Sequence, residues 1–231
     1  MYNKDQLLER YKTPGDELAF AGQTKVSKEV LKSNRRVHND ILSRNFAYGL
    51  HRFYRKPKHV NPYFSYMPRE QIQLDLIDIK DISKHNDSIK YLLAAIDIFT
   101  RKLWVYPLPD KKASTSVNAI RKLLQDLEPF TPKTIMFDRG TEFINKLVHK
   151  LLDEYKIKTI LPNTETKAAY VERANLSLQR LIYMYMTQYN THRYIHTLPA
   201  LVNSYNKRKH RSLGSKFSPN DAEKDEIIDR I

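Results

Sequence analysis

Three strand-length apolar segments follow one another between residues 71 and 108, and the links between them are very short. The segments read QIQLDLIDI, KYLLAAIDIF and RKLWVYPL; a polar turn at residues 85–88 separates the first two, and Thr100 alone separates the last two. Strands with such links pair in antiparallel order, because a parallel pair needs a crossover of about a dozen residues or more. The sheet is therefore expected to begin with three antiparallel strands.

Helices and strands alternate after residue 108. Apolar residues recur at helical spacing in residues 113–128 and 141–156, short strands are predicted at residues 133–137 and 156–161, and a long helix is predicted at about residues 168–189. Because helices separate the later strands, these strands must join the sheet in parallel. The order β-β-β-α-β-α-β-α predicts the α/β class, with a mixed five-stranded sheet flanked by helices, and it resembles the ribonuclease-H-like fold.

The two shorter helices carry residues suited to helix N-termini. Ser114 or Thr115 is expected to cap the first helix, and Glu142 is assigned to the first turn of the second. The second helix has the clearest apolar stripe of the chain, formed by Ile144, Leu147, Val148, Leu151, Leu152 and Tyr155. This stripe is predicted to pack on the sheet.

Positive charge is concentrated on the two flanks of the chain. The formal net charge is +14; residues 1–68 carry 13 Lys/Arg against 6 Asp/Glu, residues 69–172 carry 17 against 15, and residues 173–220 carry 8 against none. This distribution favours a polyanionic partner, nucleic acid first, because each phosphate contact releases counterions. The alternative is that the charge serves solubility.

The composition excludes several other classes of protein. Cysteine is absent, which excludes disulfides and any zinc site that needs thiolates. With 41% hydrophobic residues the chain can bury a core, so wholesale disorder is not expected. It has no run of about 18 apolar residues, so no membrane span is predicted, and its first residues lack the apolar stretch of a secretory signal.

The first 66 residues are predicted to be an accessory segment. Residues 25–42 can form a basic helix, whereas residues 49–68 are dense in Arg, Lys and aromatic residues and contain three prolines that disfavour a helix. An extended basic arm of this kind suits a nucleic-acid backbone with occasional base stacking. A solvated linker is the alternative.

Three acidic residues stand where separate elements of the predicted fold can bring them together. Asp75 lies within the first strand, Asp138 ends the fourth strand, and Glu172 lies near the start of the long helix. An acid among buried strand residues is costly unless it has a partner, and Gly140 permits a sharp turn after Asp138. Magnesium prefers oxygen ligands, and two ions about 3.5–4 Å apart can activate an attacking oxygen and stabilise a leaving one. The three acids are therefore candidate metal ligands.

Each of these acids also has a structural explanation. Asp78, Asp81 and Asp97 compete with Asp75, although strand alternation puts Asp78 on the opposite face of the strand. Asp138 can instead cap a helix, and Glu172 can instead favour the positive end of its own helix. Spacing alone leaves these alternatives open.

Six sequence motifs follow one another between residues 47 and 219. They read AYGLHRFYRKPKHV (47–60), QLDLID (73–78), AIDIFTRKLWVYPL (95–108), DRGTEF (138–143), VERANLSL (171–178) and YNKRKHRSLG (205–214), with Pro219 after the last. From about residue 48 to residue 222 the chain resembles the retroviral-type DDE integrase catalytic core, and within that group most closely the integrases of Maverick/Polinton DNA transposons.

The resemblance implies a catalytic triad of Asp75, Asp138 and Glu172, whose members are also the metal ligands. It implies two Mg²⁺ ions, with Mn²⁺ as a substitute, in a polynucleotidyl transferase that uses a two-metal mechanism. The implied reaction is processing of the 3′ ends of element DNA, followed by strand transfer of these ends into target DNA. No covalent enzyme intermediate is needed.

Basic residues in the arm, around the glutamate and in the closing motif are predicted to contact the DNA backbone. They are Arg52, Arg55, Lys56, Lys58, Lys167, Arg173, Arg180, Lys207, Arg208, Lys209 and Arg211. For those near the glutamate, an exposed polar face without DNA contact is the alternative.

The resemblance also predicts how the chain is organised. It has a basic N-terminal helical segment and arm (1–66), an integrase catalytic core (67–222) and an acidic tail (223–231). Without cysteine it cannot build the His-His-Cys-Cys zinc module of many relatives, and it ends just past the core, as a truncated or degenerate copy would. The expected partners are DNA, as element ends and target, and further copies of the chain in a homo-oligomer. The expected location is the host nucleus, or a virus or mobile element.

Two other functions fit the same sequence. One is a domesticated DNA-binding protein that kept the fold without catalysis, which the presence of all three acids disfavours. The other is a ribonuclease-H-like nuclease, which the basic arm and the closing motif disfavour. A strand-transfer assay with magnesium separates the three by its products: joined DNA, hydrolysis only, or neither.

Overall fold

A mixed five-stranded sheet forms the centre of the molecule. The computed structural model describes residues 9–17, 19–20, 64–138, 140–161 and 169–228. The strands are β1 (Gln71–Asp78), β2 (Tyr91–Asp97), β3 (Leu103–Leu108), β4 (Thr134–Met136) and β5 (Lys158–Ile160). In the order β3-β2-β1-β4-β5, β2 runs antiparallel to both of its neighbours, whereas β1, β4 and β5 run parallel. The predicted α/β fold is confirmed, and this is the ribonuclease-H-like arrangement.

Helices cover both faces of this sheet. They are α1 (Ala113–Leu127), α2 (Lys146–Glu154), α3 (Ala169–Gln188), α4 (Leu198–Lys207) and the short α5 (Asp225–Ile228). Short 3-10 helices are Lys80–His85, Arg211–Leu213 and Asp221–Glu223. α1 and α3 lie within one residue of their predicted bounds, whereas α2 lies inside its predicted range but begins later. α4 was not predicted; it accommodates Pro199 because its first turn needs no backbone N–H at that position.

Two hydrophobic clusters lie on the two faces of the sheet. One joins the sheet to α1 and α2, and the other joins it to α3 and α4. Alternation along β1 explains the division. Ile72 and Leu74 belong to the α1/α2 cluster, Ile77 belongs to the α3/α4 cluster, and the side chains of Gln73 and Asp75 contact α3.

Residues 9–17 and 19–20, which we call the N-terminal strap, pack into the α3/α4 cluster. Tyr11 and Phe20 are only 2% and 1% exposed, and their rings meet edge to face with centroids 5.9 Å apart. A backbone N–H of the strap donates to the hydroxyl of Ser204 on α4. The predicted domain boundary at residue 66 stays a prediction, but these N-terminal residues share a core with α3 and α4.

The predicted cap of α1 is wrong. The helix begins at Ala113, and Lys112 occupies the N-cap position without a side-chain capping bond. Ser114 and Thr115 therefore lie inside the first turn. Asp110 organises the helix entrance instead, since its carboxylate accepts from the Lys112 N–H at 3.0 Å and from the Thr115 hydroxyl at 2.6 Å.

The predicted start of α2 is also wrong. Asn145 caps this helix, with its side-chain oxygen accepting from the N–H groups of Leu147 at 3.1 Å and Val148 at 2.9 Å. Glu142 therefore precedes the helix. Only part of the predicted apolar stripe is buried: Val148, Leu151 and Leu152 are in the core, whereas Ile144, Leu147 and Tyr155 are exposed. The later start shortens the helix and leaves its two ends outside the packed region.

Candidate active site

Asp75 lies within β1 with its side chain directed towards α3. Its Oδ2 accepts from the Asn175 side-chain amide at 2.7 Å, and its Oδ1 accepts from the backbone N–H of Leu76 at 2.8 Å. Both donors are neutral, so these contacts do not balance the negative charge of the carboxylate. Asp78 lies three positions after Asp75 on the same strand, so its side chain is on the opposite face. It is exposed and pairs with Lys80 at 2.8 Å. Asp78 is therefore a surface residue of another face.

Asp138 follows β4, the strand next to β1. In the parallel pairing of these strands, Gln73 lies opposite Met136. Continuing this register by two residues brings Asp138 level with Asp75, across a strand spacing of about 4.8 Å. Asp138 is exposed, and its Oδ1 accepts from the Gly140 N–H at 3.1 Å, which forms a tight turn directly after the strand.

Glu172 is an exposed residue in the first turn of α3. The start of this helix is joined to β1 by the side chain of Gln73, whose Oε1 accepts from the N–H groups of Tyr170 at 3.2 Å and Val171 at 3.1 Å. The helix turn that holds Glu172 is therefore fixed to the strand that holds Asp75.

The charges of Asp138 and Glu172 act on the buried carboxyl group of Asp75. The pKa of Asp75 is raised to about 6, first because burial disfavours the charged carboxylate and then because the negative charges of Asp138 and Glu172 lie near it. The hydrogen bonds from Leu76 and Asn175 oppose this rise. An excess of negative charge of this kind is what a bound cation would relieve.

The three carboxylates suit a hard divalent cation by their chemistry, since oxygen ligands from separate elements are what magnesium prefers. Within the residues that the structure describes, however, no group of three or more His, Asp or Glu side chains lies close enough to hold one ion. Residues 139 and 162–168, beside Asp138 and Glu172, lie outside the described ranges. Magnesium binding by the triad therefore stays a prediction that donor chemistry and charge support.

Without added metal, Asp75→Asn is expected to stabilise the protein at neutral pH. The pKa of Asp75 in the folded protein, about 6, is above its ordinary value of 3.8, so the wild type loses stability as the pH rises through this window. The loss is about 1–3 kcal/mol above about pH 6, and it is absent below about pH 4. The asparagine can still accept from Asn175 but has no charge.

Urea unfolding of both proteins at about pH 4 and about pH 7.5 measures this difference. The variant should be the more stable protein at the higher pH only. Equal free energies of unfolding of the wild type and the variant at about pH 7.5 would contradict the raised pKa of Asp75.

Asp97, a competitor of Asp75 in the sequence, has a structural role. It is fully buried, and its carboxylate accepts from the N–H groups of Arg69, Phe99 and Thr100 and from the Thr100 hydroxyl at 2.6 Å. These bonds close the turn between β2 and β3. Since they leave the carboxylate buried and occupied, Asp97 is not a candidate ligand.

Glu142 is a buried acid paired with a lysine. Its Oε1 lies 3.3 Å from Lys111 Nζ, and its carboxyl group fills the space beside Gly140. A Cβ at residue 140 would lie 2.7 Å from Cδ of Glu142. A side chain at residue 140 would therefore have to displace the flexible end of Glu142.

The predicted DNA-contacting residues fall into three groups. Arg173, Lys207, Lys209 and Arg211 are exposed, and Arg180 is partly buried. Arg52, Arg55, Lys56, Lys58 and Lys167 lie outside the described ranges. Arg208 is turned inward: its Nε donates to the Glu17 carbonyl at 3.3 Å, and burial lowers its pKa to about 9. DNA contact stays a prediction for all of them, but Arg208 already has a contact with the N-terminal strap.

Two polar residues that organise the site, Gln73 and Asn175, were not predicted to do so. Gln73 is fully buried in an apolar strand, two positions from Asp75. Residues two positions apart share a strand face, so Gln73 could have indicated that the face bearing Asp75 contacts polar groups. The partner on the helix cannot be identified from spacing alone.

Comparison with known proteins gives the class of the central segment. Residues 66–164 match the family model of the integrase core domain. The match includes Asp75 and Asp138 and ends before Glu172. An uncharacterized transposon-derived protein of Caenorhabditis elegans is 38% identical over 133 residues, which are 58% of this chain and 46% of that protein. A truncated transposon Ty1-A Gag-Pol polyprotein of Saccharomyces cerevisiae is 27% identical over 120 residues, which are 49% of this chain and 10% of that protein.

The chain spans less than half the length of either relative. Among the helices of the described ranges, none is both long and apolar enough to cross a lipid bilayer.

Proposed function

We propose that this protein is a DNA integrase in which Asp75, Asp138 and Glu172 hold divalent metal ions for 3′-end processing and strand transfer. The observation that carries the proposal is the packing of three elements that bear the acids: β1 pairs in parallel with β4, and hydrogen bonds of Gln73 and Asn175 attach the start of α3 to β1. The match of residues 66–164 to the integrase core domain supports it independently.

Two phosphoryl-transfer steps make up the proposed reaction. A water oxygen attacks a phosphorus near the 3′ end of the element DNA, and the bond to the departing 3′ oxygen breaks, leaving a 3′-hydroxyl. This hydroxyl oxygen then attacks a phosphorus of target DNA in line with the departing oxygen, so one phosphodiester bond replaces another. Bound magnesium would supply positive charge for the attacking and departing oxygens. The protein's part is to position the carboxylates and the DNA.

The exposed basic residues offer a path for the DNA backbone. Arg173 directly follows Glu172, and Lys207, Lys209 and Arg211 lie at the end of α4 and just after it. We propose that these residues contact phosphates of element or target DNA, a contact that weakens as salt rises. The Maverick/Polinton subtype, a homo-oligomer that holds two DNA ends, and a nuclear location belong to the same proposal.

One observation favours a second candidate function. The exposed basic residues at the end of α4 and just after it also fit a domesticated protein that binds DNA without catalysis, which is the alternative. Such a protein would keep the fold and the basic surface but would not join DNA in the presence of magnesium.

A strand-transfer assay on the full chain tests the proposal. The DNA substrates are duplexes that end in the sequence flanking the gene, together with a supercoiled plasmid as target, and the reactions contain Mg²⁺, Mn²⁺ or EDTA. Joined products that need the metal support the integrase. Hydrolysis alone points to a nuclease, and binding without either reaction points to the non-catalytic protein.

A further inference from the structure

One buried amide contacts all three elements that supply the candidate ligands. Gln73 belongs to β1 and is fully buried. Its Oε1 accepts from two backbone N–H groups at the start of α3, and its Nε2 lies 3.5 Å from the Met136 sulfur of β4. A single side chain therefore joins β1, β4 and α3.

Each of these contacts lies next to a candidate ligand in the sequence. Gln73 is two residues before Asp75, and Met136 is two residues before Asp138. The two bonded N–H groups, those of Tyr170 and Val171, belong to the residues directly before Glu172. Loss of the amide would therefore remove the acceptor of the backbone N–H groups beside Glu172 and a side-chain contact with the strand that leads to Asp138.

The bonds to α3 have a clear physical reason. The first N–H groups of a helix have no acceptor within the helix, and buried ones need an acceptor from elsewhere. Gln73 supplies that acceptor from the neighbouring strand. One turn later, the Asn175 amide donates to the Asp75 carboxylate at 2.7 Å. The helix start is thus attached to β1 at two points, one on each side of Glu172.

We propose that Gln73 is a positioning residue that sets the place of Glu172 relative to Asp75 and Asp138. It touches neither DNA nor metal in this role, and it acts through the backbone of the first turn of α3. The inference rests on the proposed function for its effect on metal binding, but the anchoring itself is a property of the fold.

The test compares Gln73→Met with Gln71→Met in the full chain. Methionine keeps the length of glutamine and removes the acceptor. Gln71 lies on the same strand face, and its amide donates to the Phe64 carbonyl at 3.2 Å, away from α3. Gln73→Glu retains an acceptor oxygen for the helix and serves as the rescue variant. Gln73→Asn, which withdraws the amide by one methylene, takes the place of Gln73→Met if that variant does not fold.

Three measurements are made on each variant. Hydrogen exchange of the Tyr170 and Val171 amides is expected to accelerate about tenfold in Gln73→Met and to return towards wild type in Gln73→Glu. The affinity for Mg²⁺, measured by calorimetry, is expected to fall about 10- to 100-fold in Gln73→Met. The affinity for duplex DNA should stay within about twofold, because the phosphate contacts lie elsewhere.

The outcomes separate the anchoring from the proposed function. Unchanged exchange of the two amides in Gln73→Met, or an equal acceleration in Gln71→Met, overturns the anchoring role. Faster exchange with unchanged Mg²⁺ affinity overturns the claim that the anchor positions a ligand. If the wild type binds no Mg²⁺ at all, the proposed metal-dependent function fails and the positioning claim fails with it, whereas the exchange data still decide whether Gln73 anchors α3.

Discussion

Asp75→Asn is expected to reduce magnesium-dependent strand transfer by at least about a thousandfold, because the variant loses the charged oxygen that would hold the metal at the reacting phosphate. Glu172→Gln should have a similar effect from the other side of the site. Neither substitution alters the basic surface, so the affinity for DNA should remain close to that of the wild type. A gel-based joining assay and a fluorescence anisotropy titration measure the two quantities separately.

Asp78→Asn is the matched control for this experiment. It makes the same chemical change on the same strand, but Asp78 is exposed on the opposite face and pairs with Lys80. Its activity should stay within about threefold of wild type, as expected for an exposed ion pair. Wild-type joining rates in Asp75→Asn or in Glu172→Gln would show that the triad is wrongly assigned.

Phe20→Ala is expected to destabilise the protein by about 3–5 kcal/mol, the usual cost of removing a large aromatic ring from a packed core. Phe20 is 1% exposed, it packs in the α3/α4 cluster, and it meets the ring of Tyr11. A loss of this size is a large fraction of the stability of a single domain. Thermal and urea unfolding should both show it.

Phe64→Ala provides the control, because Phe64 is 68% exposed although it also lies before the sheet. This substitution should change the free energy of unfolding by less than about 0.5 kcal/mol, as for other surface positions. If Phe20→Ala and Phe64→Ala had equal and small effects, the N-terminal strap would not be part of the core.

The central sheet could be predicted from the sequence because its signals are local. Runs of Ile and Leu mark the strands, and the short links before Tyr91 and Leu103 leave only antiparallel pairing. The helix starts were less predictable, because residues of the capping type do not always cap: Ser114 lies inside α1, whereas Asn145 does cap α2. The place of Phe20 could not be predicted, since the hydrophobic cluster that it joins includes residues of α3 and α4, which lie more than a hundred positions away in the sequence.

The candidate site also combines features that the sequence predicts with features that depend on the folded structure. Asp75, Asp138 and Glu172 could be selected because each lies at a recognisable place in a strand or helix. The raised pKa of Asp75 could not be predicted from the sequence, because it depends on how deeply α3 covers the strand and on which donors face the carboxylate. The orientation of Arg208 could not be predicted either: it belongs to a basic run in the sequence, yet its guanidinium faces the interior.

The burial of Phe20 has a consequence for the basic arm that follows it. Residues 21–63 are attached to the folded body at both ends, through Phe20 on one side and through the Phe64 carbonyl bonded to Gln71 on the other. A single cut of the chain between Phe20 and Phe64 would therefore leave the N-terminal piece held to the rest of the protein by noncovalent contacts, among them the packing of Tyr11 and Phe20, without a peptide bond.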